Sequence, residues 1–193
     1  MTVTALDPST ALLVVDLQKG TIGSHPMAHS ADDVIGRAAE LAAAFRQQGL
    51  PVVLVNHAGN PAGRTQYGHG GGGDWPPELT ELMPGLGADP DDLRITKRGW
   101  GAFARTDLDA RLRSLGVTQV VIAGVATSYG IESTARDAYD LGYHVTIAAD
   151  AVTDPTPEGH QHRLDRVFPA LGQVGKTAEI IALLSAPGDT DQA

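Results

Sequence analysis

The chain contains no cysteine. That excludes a disulfide framework, a cysteine–zinc site and a thiol nucleophile. Basic residues are scarce: 14 Lys and Arg against 23 Asp and Glu leave a formal net charge of -9. Nucleic-acid binders need a basic face to displace counterions, and peripheral membrane proteins need one to meet anionic lipid. Neither partner is expected. Apolar runs are short, well below the roughly 20 residues that span a bilayer. The opening MTVTALDPST has no basic stretch leading into an apolar one, so no secretory signal is read there and a cytoplasmic protein is expected.

What is present is an alternation of strand and helix patterns. Ala11–Val15, Val52–Val55, Leu93–Thr96, Val120–Ala123 and Val145–Ala148 are short, largely apolar runs, with a sixth near Val174. Continuous apolar residues suit strands buried on both faces. Helical patterns cover Ala31–Gln48, Thr106–Leu115, Thr127–Leu141, Pro157–Leu171 and Thr177–Leu184, three of them stopped by Gly49, Gly116 and Gly142. Thr127 is read as a helix cap. Residues 58–74, with the run Gly70–Gly73, form a long loop of the kind that often covers a site. The rhythm predicts an α/β fold, a six-stranded mostly parallel sheet with helices on both faces, as one domain over residues 1–185 with a frayed tail at 186–193.

Such sheets bind ligands beyond the carboxyl ends of their strands. Asp16, His57, Lys97 and the turn Gly124–Gly130 all fall there. Asp16 can serve as a general acid or base, or simply cap a loop. Lys97 can pair with it, with Arg98 as a competing cation. A helix starting after Gly124 offers unpaired N–H groups to a carboxylate or carbonyl oxygen. Gly130 would lie in its first turn, where glycine costs about 1 kcal/mol against alanine; either fraying or close helix packing tolerates it, or a side chain would fill space the substrate needs. The strand, Gly-rich turn, helix, strand and Asp150 also suggest a dinucleotide site, but the spacing Gly-x-x-x-x-x-Gly is not G-x-G-x-x-G.

The strings LLVVDLQKG, ITKRGWGAF and VVIAGVATSYGIESTARDAYDLGYHVTIAADAVTD resemble the three signature blocks of the isochorismatase-like hydrolases, from about Ala11 to the last helix. The resemblance implies a three-layer, Rossmann-like sandwich and an Asp, Lys, Cys triad. Asp16 and Lys97 match the first two members; Gly130 stands where the cysteine is usual. Amidases of the family need that thiol. The isochorismatases proper share the glycine and hydrolyse a vinyl ether without a covalent intermediate. The resemblance also implies a non-proline cis peptide at Val125–Ala126.

The function expected is therefore cofactor-independent cleavage of isochorismate, or its amino analogue, to pyruvate and a dihydro-hydroxybenzoate-type product. Asp16 acts as general acid and Lys97 positions the substrate. Gln18, Arg64, Trp75, Trp100, Ala126 and Tyr129 are read as substrate-binding residues, with Phe103 a further pocket candidate. The zinc-dependent members' Asp-x-His pattern is not reproduced by Asn56 and His57, so no metal is expected. A small anionic substrate and a homo-oligomer complete the reading. Two alternatives stand beside it: hydrolysis of an amide or other C–N bond by activated water, with Ser128 and Ser133 as conceivable nucleophiles, and a non-catalytic binding protein on a decayed fold.

Overall fold

Six parallel strands form the sheet of the computed structural model, which describes residues 3–23, 27–66, 68–70 and 72–185. They are β1 (Thr10–Val15), β2 (Val52–His57), β3 (Leu93–Lys97), β4 (Gln119–Val125), β5 (His144–Thr153) and β6 (Gln173–Gly175). Their order is β6-β5-β4-β1-β2-β3, so the winding direction reverses beside β1. The expected tail at 186–193 lies outside the described residues, as do Tyr67 and Gly71 of the long loop.

Parallel strands covered on both faces must be apolar throughout, and every residue of β1 and β4 is buried. Alternate side chains feed two cores. On one side Leu13, Val15, Val55 and Ile122 meet α2 (Leu108–Ser114), α3 (Glu132–Asp140) and Phe168. On the other, Leu12, Val14, Leu54 and Val121 meet α1 (Ala31–Gln47) and α5 (Thr177–Leu184). Helix α1 starts where the Ser30 side chain accepts from the Asp33 N–H at 3.1 Å, and it buries Val34, Ala38, Leu41 and Phe45 at helical spacing. Gly124, with φ 121°, lets β4 run against β1: a Cβ there would collide with the Val15 carbonyl.

Several elements depart from the sequence reading. Strand β5 runs on past Ala148 to Thr153, because its pairing skips: Ile122 faces Ile147, yet Gly124 faces Val152. That bulge takes in the polar Asp150, which breaks the apolar pattern. Thr127 does not cap the fourth-strand helix. Its hydroxyl bonds His160 Nδ1 at 2.9 Å, and residues Thr127–Ile131 make a π-helical turn before α3. The run Pro157–Leu171 is likewise split, α4 (Pro157–His162) passing through a π turn over Arg163–Val167. The long loop holds two small antiparallel ladders, Gly59–Asn60 with Gly73–Asp74 and Gly63–Thr65 with Gly68–Gly70.

Candidate active site

Strand β1 ends at Asp16, whose φ of 56° turns the chain out of the sheet. Aspartate tolerates this left-handed region better than most residues. The turn is fixed by the Asp16 N–H donating to Val55 O at 2.9 Å and by the Thr21 hydroxyl donating to Asp16 O. Asp16 is buried, at 5% exposure. Two strands away, Lys97 ends β3 and passes its side chain over the end of β2. Its Nζ lies 2.7 Å from Asp16 Oδ2 and also donates to Gly99 O at 2.9 Å and Trp100 O at 2.8 Å. All three ammonium protons are thus placed, and the side chain is fully buried. Asp16 Oδ1 is buried with no hydrogen-bond partner.

Those contacts decide the acidity of Asp16. Burial opposes the anion, and it outweighs the pull of Lys97, raising the carboxyl pKa to about 6. Burial also lowers the Lys97 pKa, against the attraction of Asp16. A carboxylate with one oxygen paired and the other orphaned has lost half its hydration without replacement.

Gly130 sits in the π turn directly above this pair. A Cβ built there would lie 3.0 Å from Asp16 Oδ2 and 3.0 Å from Val125 O. The missing side chain keeps the carboxyl uncrowded. The peptide bond Val125–Ala126 is cis.

A cleft of about 270 Å³ opens beside Asp16 and Gly130. Trp75, Trp100, Ala126 and Tyr129 line it. Trp100 and Tyr129 meet edge to face at 5.0 Å and are 56% and 45% exposed, so they form the mouth. Trp75 meets the His57 ring at 4.7 Å. Gln18 stands apart from the cleft. It is fully buried, donates from Nε2 to His57 O at 2.8 Å and Leu79 O at 2.9 Å, and accepts from the His57 N–H at 2.6 Å. It braces the end of β2. Arg64 is exposed on the Gly63–Thr65 strand and is not among the cleft's lining residues. Phe103 is buried in the core against Tyr143 at 5.7 Å. Arg98 pairs with Asp74, outside the cleft. Asp150, the dinucleotide candidate, accepts from the Thr177 N–H and hydroxyl at 2.8 and 2.9 Å.

The sequence reading missed Thr21, Met27, Asn60 and Pro155, which also line the cleft. All four lie in loops, where no periodicity marks a side chain as inward. His57 was placed at the right strand end without a role. Its pKa is lowered by burial and then by Lys97, so the ring is neutral. Its ring faces two oxygens, with Nδ1 3.2 Å from Gly99 O and Nε2 3.1 Å from Asn60 Oδ1, and a neutral ring donates to one of them. Among the described residues no group of three His, Asp or Glu is placed to hold a metal ion, and no helix is long and apolar enough to cross a membrane.

Behind the cis peptide lies a second polar cluster. Asp154 is fully buried and accepts from the Ser128 N–H at 2.7 Å and from the Ser128 hydroxyl. It also accepts from the Thr156 N–H and hydroxyl at 3.0 and 2.8 Å. Burial would raise its pKa, but the hydrogen bonds from Ser128 and Thr156 carry it below the usual range. The Ser128 hydroxyl is therefore committed and is no free nucleophile.

Comparison with known proteins agrees with this architecture. A family model described as the isochorismatase domain matches residues 10–179. An isochorismatase family protein from Burkholderia thailandensis superposes with a TM-score of 0.85 at 39% identity, over 94% of this chain and 98% of that one. The ureidoacrylate amidohydrolase RutB of Methylobacterium radiotolerans is 30% identical over 95% of this chain and 83% of its own. The phenazine biosynthesis protein PhzD of Pseudomonas fluorescens is 28% identical over 91% and 87%.

Proposed function

Since the chain belongs to the isochorismatase family, we propose that it is a cofactor-independent hydrolase that cleaves a vinyl ether, with Asp16 as the general acid. The observation that carries this reading is a buried carboxyl whose pKa is raised to about 6, beside a glycine in place of a nucleophile. Vinyl ether hydrolysis begins with protonation of the terminal enol carbon, so it needs a positioned acid and no nucleophilic side chain. The Asp16 proton forms the new C–H bond and leaves an oxocarbenium ion, which the Asp16 carboxylate then faces. Water adds to that carbon, and its proton returns to Asp16. The hemiketal releases the alcohol, its hydroxyl proton passing to the leaving oxygen, and a ketone remains.

Lys97, itself fixed by Gly99 O and Trp100 O, holds the carboxyl group in place through its contact with Oδ2. Cleavage of a C–N bond would use Asp16 the other way, as a base toward water. The two readings have opposite pH dependence. An acid-catalysed rate falls as pH rises through about 6, whereas a base-catalysed rate climbs. A panel of vinyl ethers, charged and uncharged and including isochorismate, assayed for ketone release across pH, tests the proposal. No ketone from any member, or a rate climbing with pH through that range, overturns it.

A further inference from the structure

We infer that the cleft selects an uncharged, ring-bearing substrate, because its walls are lined by four rings and, among the described residues, by no Lys or Arg. The inference takes the reaction from the reading above and names the substrate class. Charge reasoning from the sequence alone expects an anionic ligand, since Lys97 and a helix start both lie at the sheet's rim. In the folded chain Lys97 is fully buried and does not line the cleft. Lys97 spends its three protons on Asp16, Gly99 O and Trp100 O. At the helix start, Asp154 places a buried carboxylate on the Ser128 N–H. A helix N-terminus attracts anions through such unpaired N–H groups, and here an internal anion occupies one of them.

The rest of the lining agrees. No Lys or Arg lines the cleft among the described residues. Its ionisable neighbours are Asp16, anionic once above its pKa, and His57, which burial and Lys97 keep neutral. A substrate carboxylate would find no Lys or Arg side chain on these walls to receive it. What the cleft does offer is four rings, those of His57, Trp75, Trp100 and Tyr129, and the neutral polar groups of Thr21 and Asn60. Flat aromatic or unsaturated rings fit edge-to-face and stacked against such walls. The reaction does not require a substrate anion, because the positive charge of the oxocarbenium ion develops against the Asp16 carboxylate.

A matched pair of probes separates charge from shape. 2-Phenoxyacrylamide and 2-phenoxyacrylate share a skeleton; hydrolysis gives phenol with pyruvamide or pyruvate. Both of the chain's two tryptophans line the cleft, so intrinsic fluorescence reads binding there whether or not turnover follows. The amide is expected to bind at least tenfold more tightly than the acid at pH 7.5. Equal affinity, tighter binding of the acid, or no binding of either overturns the inference, while binding without phenol release counts against the proposed reaction alone. Met27→Lys supplies the missing cation on a side chain of similar length at the cleft wall. It should move the preference toward the acid by at least tenfold. An unchanged preference would show that charge is not what the cleft reads.

Discussion

Replacing Lys97 with methionine removes one charge from the site while keeping an unbranched stem, and it should drive the Asp16 pKa further up. In the native chain burial lifts that pKa from 3.8 to about 6, against the opposing pull of Lys97. A neighbouring cation lowers a carboxyl pKa by about 1–3 units, so its loss should place Asp16 between about 7 and 9. The folded state then holds its proton to higher pH than the unfolded chain does. Stability therefore falls as pH rises across the interval between the two pKa values. In the native protein this decline spans roughly pH 4 to 6; in Lys97→Met it should continue to about pH 7–9, at about 1.4 kcal/mol per unit. Gly99 O and Trp100 O also lose a donor, each at a cost of about 1–3 kcal/mol that does not depend on pH. His57 sits in the same field and shifts too, so the Asp16 carboxyl carbon is followed directly by NMR titration alongside thermal melts from pH 4 to 9. A carboxyl pKa that stays near 6 or falls would refute the account of what sets the acid.

Four further outcomes follow from the same geometry. Asp16→Asn should abolish hydrolysis of whatever vinyl ether the native protein accepts, and the native rate should fall about tenfold per pH unit well above 6; full activity in the variant would remove Asp16 as the acid. Gly130→Cys should lower native turnover at least tenfold without creating a thiol hydrolase, because its Cβ presses on Asp16 Oδ2 and Val125 O at 3.0 Å. Its melting temperature should change little, since a helix-propensity gain of about 0.5 kcal/mol offsets part of the crowding. Thr127→Val should cost about 1–3 kcal/mol in denaturant unfolding, because it leaves His160 Nδ1 as orphaned as Nε2 already is. Phe45→Ala, deep under α1 and away from the cleft, should cost about 3–5 kcal/mol and leave probe binding unchanged.

The strands were legible because burial on both faces demands unbroken apolar runs, and those runs stand out between glycines and polar turns. Strand β5 was read short because its bulge admits Asp150, and a pattern reader stops at a charge. Thr127 looked like a cap from its position after a strand; its hydroxyl instead bonds His160, which is distant in sequence and close only in the fold. Asp16, Lys97 and Gly130 were legible as strand-end residues, since topology alone gathers such positions on one rim. That the Asp16 pKa is raised to about 6 was not legible. A sequence shows Lys97 as a partner that would lower the pKa, but not the burial that outweighs it. Nor does it show that Gln18 points into the protein to brace His57.

The long reach of Lys97 ties two parts of the sheet that differ in how firmly they are held. Strand β3 is the outermost on its side, paired only to β2 from Val53↔Leu93 to His57↔Lys97, while β1 is clasped by β2 and β4. Edge strands open more readily than central ones, in local excursions far short of global unfolding. Each such excursion of β3 carries the ammonium away from a carboxyl group that stays where it is. The readiness of the acid is thus governed by an edge strand of the sheet rather than by the strand that bears it. Amide hydrogen exchange along Leu93–Lys97 measures how often the site comes apart and reassembles in an otherwise folded molecule.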